Sequence, residues 1–187
     1  MTTAQHRDVI EEIIADHHEV EQVFLELEKD EADRPHRREL VEHVIAELVR
    51  HSVGEEQYVY PTARRVLPVG DRVADHELKE HAEAEKVMKQ LENTDTDDPK
   101  FDELVGKLIA DIRHHVEGEE GDLLPKLRAS CDAAQLAELG EKFETAKKTA
   151  PTRPHPMAPD RPPANKILGP GAGLIDRMRD ALTGRNT

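Results

Sequence analysis

The sequence predicts an all-α protein: an up-down-up-down four-helix bundle with a fifth helix and a Pro-rich C-terminal tail. Of the 187 residues, 35 % are charged and only 3 % are aromatic. This composition disfavours a β-sandwich or barrel, because strands favour aromatic and β-branched side chains. Apolar residues recur with helical spacing over the first 149 residues. The chain also repeats itself, so the bundle is expected to be a duplicated helical hairpin.

The repeat has a fixed offset of 64 residues. Positions 9–61 align without a gap on positions 73–125, and 19 of these 53 positions are identical. The identities are not confined to common residues, since Pro35 aligns with Pro99. A two-helix unit that occurs twice gives four helices, and the short connections between them predict antiparallel neighbours.

Each predicted helix has its own apolar stripe and boundary residues. The four bundle helices are expected at about Gln5 to Glu28, Asp33 to Pro61, Asp71 to Glu92 and Asp97 to Pro125. A fifth amphipathic helix, from about Asp132 to Lys148, is expected to pack outside the bundle.

The composition changes after residue 149, which predicts a bundle domain over 1–149 and a tail over 150–187. Thr152 to Gly173 is rich in proline and glycine and is expected to be extended, followed by a short amphipathic helix from Leu174 to Leu182. The tail has six basic and three acidic residues, a net +3, so the total of −14 leaves −17 on residues 1–149. We expect the tail to dock on the bundle or on a protein partner, because its helix has an apolar face.

Charge and composition also disfavour several kinds of partner. A net acidic protein is repelled by phosphate backbones, so no nucleic-acid partner is expected. No apolar run approaches the ~18 residues that span a bilayer, so no membrane partner is expected. Met1 to Ala15 lacks the pattern of a secretory signal, and the single cysteine, Cys131, cannot form an internal disulfide. These features predict a cytoplasmic location.

The 11 histidines are the most informative residues, because histidine is the commonest metal ligand in proteins. On each bundle helix one histidine falls within the apolar stripe, and the second and fourth helices add a glutamate four residues later on the same face. The six residues are His17, His51, Glu55, His81, His115 and Glu119.

A single histidine on an apolar face is more often a hydrogen-bonded core residue than a metal ligand. Six polar groups at one level of a bundle are different, because each costs about 1–3 kcal/mol when it is buried without a partner. Metal binding removes this cost, since it uses the imidazole lone pairs and neutralises the carboxylates. The sequence therefore predicts a metal site.

The chain resembles hemerythrin-like (HHE cation-binding) domains of the bacterial type. The resemblance extends over about residues 9–125 and rests on the pattern His17, His51-x-x-x-Glu55, His81, His115-x-x-x-Glu119. It implies a bundle that holds two non-haem iron ions with an oxo or hydroxo bridge. It also implies that each histidine binds one iron and that Glu55 and Glu119 bridge the two ions.

Four further residues are predicted as additional ligands or proton carriers. Marine oxygen-carrying hemerythrins have a second histidine four residues after the one on the third helix, whereas this chain has Glu85 there and Glu21 at the equivalent position of the first repeat. Tyr58 and Asp122 follow the second and fourth histidines by seven residues. Tyr58 is the strongest candidate for an extra ligand, and a core tyrosine is the alternative.

Open iron positions beside proton carriers predict reaction with hydrogen peroxide, dioxygen or nitric oxide, with weak catalase-like disproportionation as the enzymatic form. The resemblance agrees, because bacterial relatives are associated with oxidative or nitrosative stress and iron handling. The alternative is an iron, oxygen or redox sensor that signals through its C-terminal tail without turnover. Structural zinc is disfavoured by the lack of cysteines, and a ferritin-type site by the lack of Glu-x-x-His pairs.

Overall fold

The computed structural model describes residues 7–29 and 33–185, and over these residues the protein is all-helical, as predicted. The predicted start of the first helix at Gln5 lies outside the described residues. The α-helices are α1 (Val9–Leu27), α2 (Arg34–Gly54), α3 (Tyr60–Val66), α4 (Gly70–Glu92), α5 (Pro99–Gly118), α6 (Leu124–Ser130), α7 (Ala133–Thr149) and α8 (Ala164–Thr183). Within the described ranges, no helix combines the length and the hydropathy needed to cross a bilayer.

Aspartate side chains cap the N-termini of four of these helices. Asp8 caps α1 and Asp132 caps α7, each in a capping box with the residue three positions later. Asp33 and Asp98 cap α2 and α5, which have proline in the first turn. These local signals explain why the starts of α2, α5 and α7 lie within two residues of the predicted ones.

The second and fourth predicted helices do not end at Pro61 and Pro125. A π-helix, Glu55–Val59, joins α2 to α3, and a second one, Glu119–Leu123, joins α5 to α6. In each π-helix the following backbone N–H bonds to the carbonyl five residues earlier, so the turn is wider than in an α-helix. Each proline lies just after this change of register, where its missing N–H and its ring are tolerated. The bundle therefore consists of four rods: α1, α2–α3, α4 and α5–α6.

Two apolar clusters fill the bundle, one on each side of the level of the histidines. One cluster includes Phe24 of α1 and Phe101 of α5, and the other includes Ile13 of α1 and Leu124 of α6. On α1, His17 lies between these clusters. The level of the bundle that contains the histidines therefore has packed apolar side chains on both sides along the bundle axis.

The fifth helix, α7, is part of the core rather than a peripheral addition. Its Phe143 is fully buried and meets the His51 ring edge-on, with the ring centroids 5.7 Å apart. Phe143 fits because residue 54 is glycine, where a Cβ would lie only 2.5 Å from the aromatic ring. Lys147 of the same helix donates to both oxygens of Asp16 at 2.6 Å. α7 thus closes the side of the bundle formed by α1 and α2.

The tail differs from the prediction in two ways. Residues 150–163 are irregular, but α8 begins at Ala164, so the expectation of extended structure is wrong for residues 164–173. In addition, α8 turns its polar side to the protein: Asp176 and Asp180 are buried, whereas Leu182 is 87 % exposed. Tertiary contacts of the aspartates override the low helix propensity of glycine and proline.

Candidate metal centre

The structure brings the six predicted ligand residues together at one level of the bundle. Each rod contributes one histidine, and the two glutamates are the first residues of the two π-helices. All six side chains are buried: His17, His51, Glu55, His81, His115 and Glu119.

Their donor atoms form adjacent groups that share the glutamates. In each group the nitrogen and oxygen atoms all lie within 4.8 Å of one another. One group is His17, His51, Glu55 and Glu119, and another is Glu55, His81 and His115. A carboxylate that belongs to two groups is the arrangement needed to bridge a pair of metal ions.

Several buried atoms of the centre have no hydrogen-bond partner among the described residues. They are His17 Nε2, His51 Nε2, Glu55 Oε1 and Glu119 Oε2. A buried polar atom without a partner costs about 1–3 kcal/mol, so native proteins seldom keep several together. Imidazole nitrogen and carboxylate oxygen are ligands that suit iron. The residues therefore fit a pair of such ions.

Each of the four ligand histidines is hydrogen-bonded at Nδ1 to a carboxylate. The pairs are His17–Glu120 at 2.8 Å, His51–Asp16 at 3.0 Å, His81–Glu56 at 3.1 Å and His115–Glu80 at 2.9 Å. An Nδ1–H that donates to a carboxylate fixes the ring and leaves the Nε2 lone pair free for a metal. All four imidazoles are thus oriented for ligation.

The four outer carboxylates were not predicted, although the sequence contains a signal for them. Asp16 and Glu80 are related by the 64-residue offset, and so are Glu56 and Glu120. Each of the four directly precedes a ligand histidine or directly follows a ligand glutamate. They lie on helical faces that point away from the apolar stripe, so the apolar pattern does not indicate them.

The tyrosine of the centre is Tyr60. Its hydroxyl lies 3.0 Å from Glu119 Oε1, 3.0 Å from His81 Nε2 and 3.2 Å from Glu55 Oε2. The ring is fully buried. The hydroxyl of Tyr60 therefore places a proton between the carboxylates of Glu55 and Glu119.

Tyr58 and Asp122, which were predicted to face the ligands, are turned away from them. Tyr58 is half-buried, and the ammonium of Lys166 lies 3.8 Å from the centre of its ring. Asp122 is exposed and bonds to Lys126. Both positions lie two α-helical turns after a ligand histidine, but each π-helix lengthens one turn of the rod. This shift moves the inward position to 60 in one rod and to 124 in the other.

Glu21 and Glu85 have partners outside the centre. Both oxygens of Glu21 accept from Arg113, at 2.7 and 3.0 Å. Glu85 accepts from the backbone N–H of His155 at 3.4 Å, and burial raises its pKa. These contacts place both glutamates at the side of the site rather than among the donor atoms.

A further carboxylate, Glu77, lies at the centre and was not predicted. It precedes His81 by four residues, whereas the prediction considered the position four residues after it. Glu77 is 6 % exposed, and its Oε2 lies 3.1 Å from Nδ1 of His115. With His115 and Glu119 it forms a third group of donor atoms.

Comparison with known proteins agrees with this geometry. The hemerythrin HHE cation-binding domain model matches residues 8–127. The chain belongs to the hemerythrin HHE cation-binding family. An uncharacterized hemerythrin-like protein of Schizosaccharomyces pombe is 31 % identical over 137 residues, which cover 73 % of this chain and 68 % of that protein. No solved structure is significantly similar to the chain. The resemblance inferred from the sequence pattern is thus confirmed at the level of the family.

In this hemerythrin-family chain, the carboxylates control protonation of the metal-free centre. Burial lowers the pKa of His51, but Glu55 and Asp16 outweigh it and raise the pKa to about 10. The same opposition raises the pKa of His81 and of His115 to about 10. Without metal these imidazoles are therefore protonated at neutral pH. Metal binding at Nε2 must displace those protons.

Tyr60 has the opposite behaviour, because its charged form is the anion. Burial, together with Glu119 and Glu55, raises the pKa of its hydroxyl well above the usual 10. The phenol therefore keeps its proton in the metal-free protein. Burial also raises the pKa of Glu56 to about 7, although its hydrogen bond with His81 acts in the other direction.

A cavity of about 190 Å³ adjoins the four ligand histidines. Its walls are largely apolar and include Phe24, Leu48 and Met88. Glu21 and Arg113, both partly exposed, lie at its edge. Because one water occupies about 30 Å³ in the liquid, this volume can hold several waters or one small ligand.

Proposed function

We propose that this hemerythrin-family protein binds two non-haem iron ions and reacts with hydrogen peroxide, dioxygen or nitric oxide. The observation that carries the proposal is the set of buried Nε2 and carboxylate atoms that lack a hydrogen-bond partner, beside a small cavity with largely apolar walls. Bound iron would supply one-electron redox chemistry and coordination positions for a small ligand. Family membership supports cation binding, and the donor set favours iron over structural zinc.

The grouping of the donor atoms supports one division of the ligands. His17 and His51 would hold one ion, and His81 and His115 the other. Glu55 and Glu119 would bridge the ions, because each belongs to more than one group. The outer carboxylates keep the imidazoles in the ligating orientation.

The remaining residues favour turnover of a small oxidant over simple carriage. The largely apolar walls of the cavity favour a small uncharged molecule. Tyr60 keeps a proton between Glu119 and Glu55, inside a pocket closed by apolar layers. A positioned proton donor accelerates cleavage of an O–O bond, whereas reversible carriage requires that the bound ligand leave unprotonated.

Adjacent histidines provide a matched test. His115 is buried in the centre, whereas the side chain of His114 is 78 % exposed. We expect the wild-type protein and His114→Ala to bind two irons per chain and to evolve oxygen from peroxide faster than free iron does. His115→Ala should lose iron and this activity. Equal iron content in all three proteins would contradict the ligand assignment, and rates equal to that of free iron would contradict the enzymatic form.

The second candidate function is a sensor, which the contacts between the tail and the bundle favour. Arg153 and Arg185 of the tail both bond to Glu92, and His155 bonds to Glu85, on the helix that carries His81. A change at the centre could therefore release the tail for a protein partner. Protease cleavage of residues 150–185 should then differ between iron-loaded and chelated protein. Identical cleavage would contradict the sensor.

A further inference from the structure

The outer face of α8 carries a continuous apolar stripe in water. Six large side chains on this face are between 56 and 87 % exposed: Ile167, Leu168, Leu174, Ile175, Met178 and Leu182. They extend over about 22 Å of the helix, at 1.5 Å per residue. A contiguous exposed apolar patch of this kind marks an interaction surface.

The polar face of α8 fixes this orientation. Asp176 accepts hydrogen bonds from the backbone N–H of Thr152 and Arg153, and it pairs with Nε2 of His155 at 2.9 Å. Asp180 accepts from the hydroxyl of Thr152 and from Nε of Arg153 at 2.8 Å. Rolling the helix to bury its apolar stripe would break all of these contacts.

Close packing of the backbone holds the same orientation. Gly173 lies against the chain at residues 149 and 150, where a Cβ would be only 2.4 Å from the carbonyl oxygen of Thr149. Arg177 donates to the carbonyl of Ala150 at 3.1 Å. These contacts therefore keep the apolar stripe exposed in the folded tail.

We propose that this stripe is the interface between two copies of the chain, with α8 packed antiparallel on α8. Four of the six stripe positions pair with one another when the helix is reversed about the midpoint between residues 174 and 175, while Leu168 and Met178 fall opposite the small residues Ala181 and Gly171. The register then pairs Ile167 with Leu182, Gly171 with Met178 and Leu174 with Ile175. Apart from the neighbouring backbone of α8, none of the described residues has an atom within 4 Å of the site of a Cβ at Gly171, so this position leaves space for the Met178 side chain of the second copy.

Charge agrees with a second copy as the occupant. Lys166 and Arg177 have contacts within their own chain, with the Tyr58 ring and the carbonyl of Ala150. The exposed cation beside the stripe, Arg179, would lie opposite Pro170, so no like charges meet there. Residues 1–149 have a net charge of −17, so an exposed cation such as Arg179 on one α8 is attracted to the body of the other copy. An anionic membrane would instead repel that body.

The size of the stripe predicts a weak dimer. Six side chains that are more than half exposed can bury about 600 Å² per copy, or about 1,200 Å² in total, at the lower end of specific interfaces. We therefore expect association in the micromolar range, which sedimentation equilibrium of the full chain can measure.

Two exposed methionines provide matched variants. Met178 lies in the stripe and is 61 % exposed, whereas Met157 lies outside α8 and is 96 % exposed. Met178→Glu should weaken dimerisation at least tenfold, and Met157→Glu should leave it unchanged. A wild-type chain that is monomeric at several hundred micromolar, or a dimer insensitive to Met178→Glu, would overturn the proposal.

Disulfide trapping tests the register in a Cys131→Ser background. A mixture of Gly171→Cys and Met178→Cys chains should form mixed dimers in preference to dimers of either chain alone. Preferred like-with-like crosslinks would overturn the antiparallel register. Vesicles that contain phosphatidylserine are the remaining probe: binding of monomeric chain to them, abolished by Met178→Glu, would assign the stripe to lipid and overturn the dimer.

Discussion

Removal of the Tyr60 hydroxyl tests the register that the π-helix imposes on the centre. Tyr60→Phe keeps the buried ring and deletes the oxygen that lies 3.0 Å from Glu119 Oε1. Hydrogen bonds to charged groups contribute about 1.5–3 kcal/mol, and this loss would leave both oxygens of Glu119 without a hydrogen bond. We expect the metal-free variant to lose about 2 kcal/mol in free energy of unfolding. For a chain of this size that is a fall of about 4–8 °C in Tm.

Tyr58→Phe is the matched control, since it removes the same atom two residues away. The Tyr58 ring lies under the ammonium of Lys166, a contact that phenylalanine retains. A surface change of this kind stays within about 0.5 kcal/mol. Thermal and urea unfolding of both variants in chelator gives the comparison. After iron loading the Tyr60→Phe deficit should shrink, because Glu119 then has a cation as partner.

The two tyrosines distinguish the registers directly. A larger loss of stability from Tyr58→Phe than from Tyr60→Phe would favour an uninterrupted α-helix after Glu55. Equal losses would show that neither hydroxyl bonds to the carboxylate pair.

Two other predictions concern pH and the tail. The pKa values of His51, His81 and His115 are raised from 6.5 to about 10. The stability that these histidines give the metal-free protein is therefore complete below about pH 6.5 and is lost as the pH rises towards 10. The Tm in chelator should therefore fall between pH 7 and pH 10, and a flat profile would contradict these pKa values. Gly173→Ala should release α8 because of its clash with Thr149, whereas Gly171→Ala meets no atom and gains about 1 kcal/mol of helix propensity. Faster proteolysis of residues 150–185 in Gly173→Ala alone is the expected result, and equal protection would contradict it.

The parts of the molecule that could be predicted depend on local, repeated signals. Caps such as Asp33 and Asp132 mark where helices begin, and the apolar stripes give the faces that pack together. The position of His17 within such a stripe, repeated at His81, placed both residues at one level of the bundle. The structure places both at this level for a simple reason: the first and third rods run in the same direction and carry the histidine at equivalent positions of the repeat.

The register beyond Glu55 and Glu119 could not be predicted, because a π-helix has no distinct composition. Pro61 and Pro125 indicated the end of a helix, which is what proline does in an ordinary α-helix. Here the wide turn before each proline lets the rod continue, and the position one turn after Glu55 is residue 60. Counting in α-helical turns therefore selected Tyr58, although Tyr60 is the residue inside the bundle.

The structure of the tail could not be predicted for a different reason. The residues before Leu174 include three glycines and a proline that disfavour a helix in isolation, and α8 forms there because Asp176 and Asp180 are anchored by Thr152 and Arg153. Such partners are distant in the chain and have no periodic signal. Tertiary contacts decided both the length of this helix and the face that it exposes.

The two repeats are not equivalent at the centre, and this bears on its chemistry. Tyr60 in the first repeat corresponds to Leu124 in the second, and Glu77 in the second corresponds to Ile13 in the first. Both polar members of these pairs lie on the same side of the centre, since Tyr60 contacts His81 and Glu77 contacts His115.

The side of His81 and His115 thus has a carboxylate and a phenol that the side of His17 and His51 lacks. Extra negative charge stabilises the more oxidised state of a bound ion, and the phenol supplies the only buried hydroxyl proton that the described residues place against the ligands. The six-residue pattern alone predicts two equivalent metal-binding positions. The residues that break the repeat make them unequal: a metal ion held by His81 and His115 would have Glu77 and the Tyr60 hydroxyl beside its ligands, and an ion held by His17 and His51 would have neither.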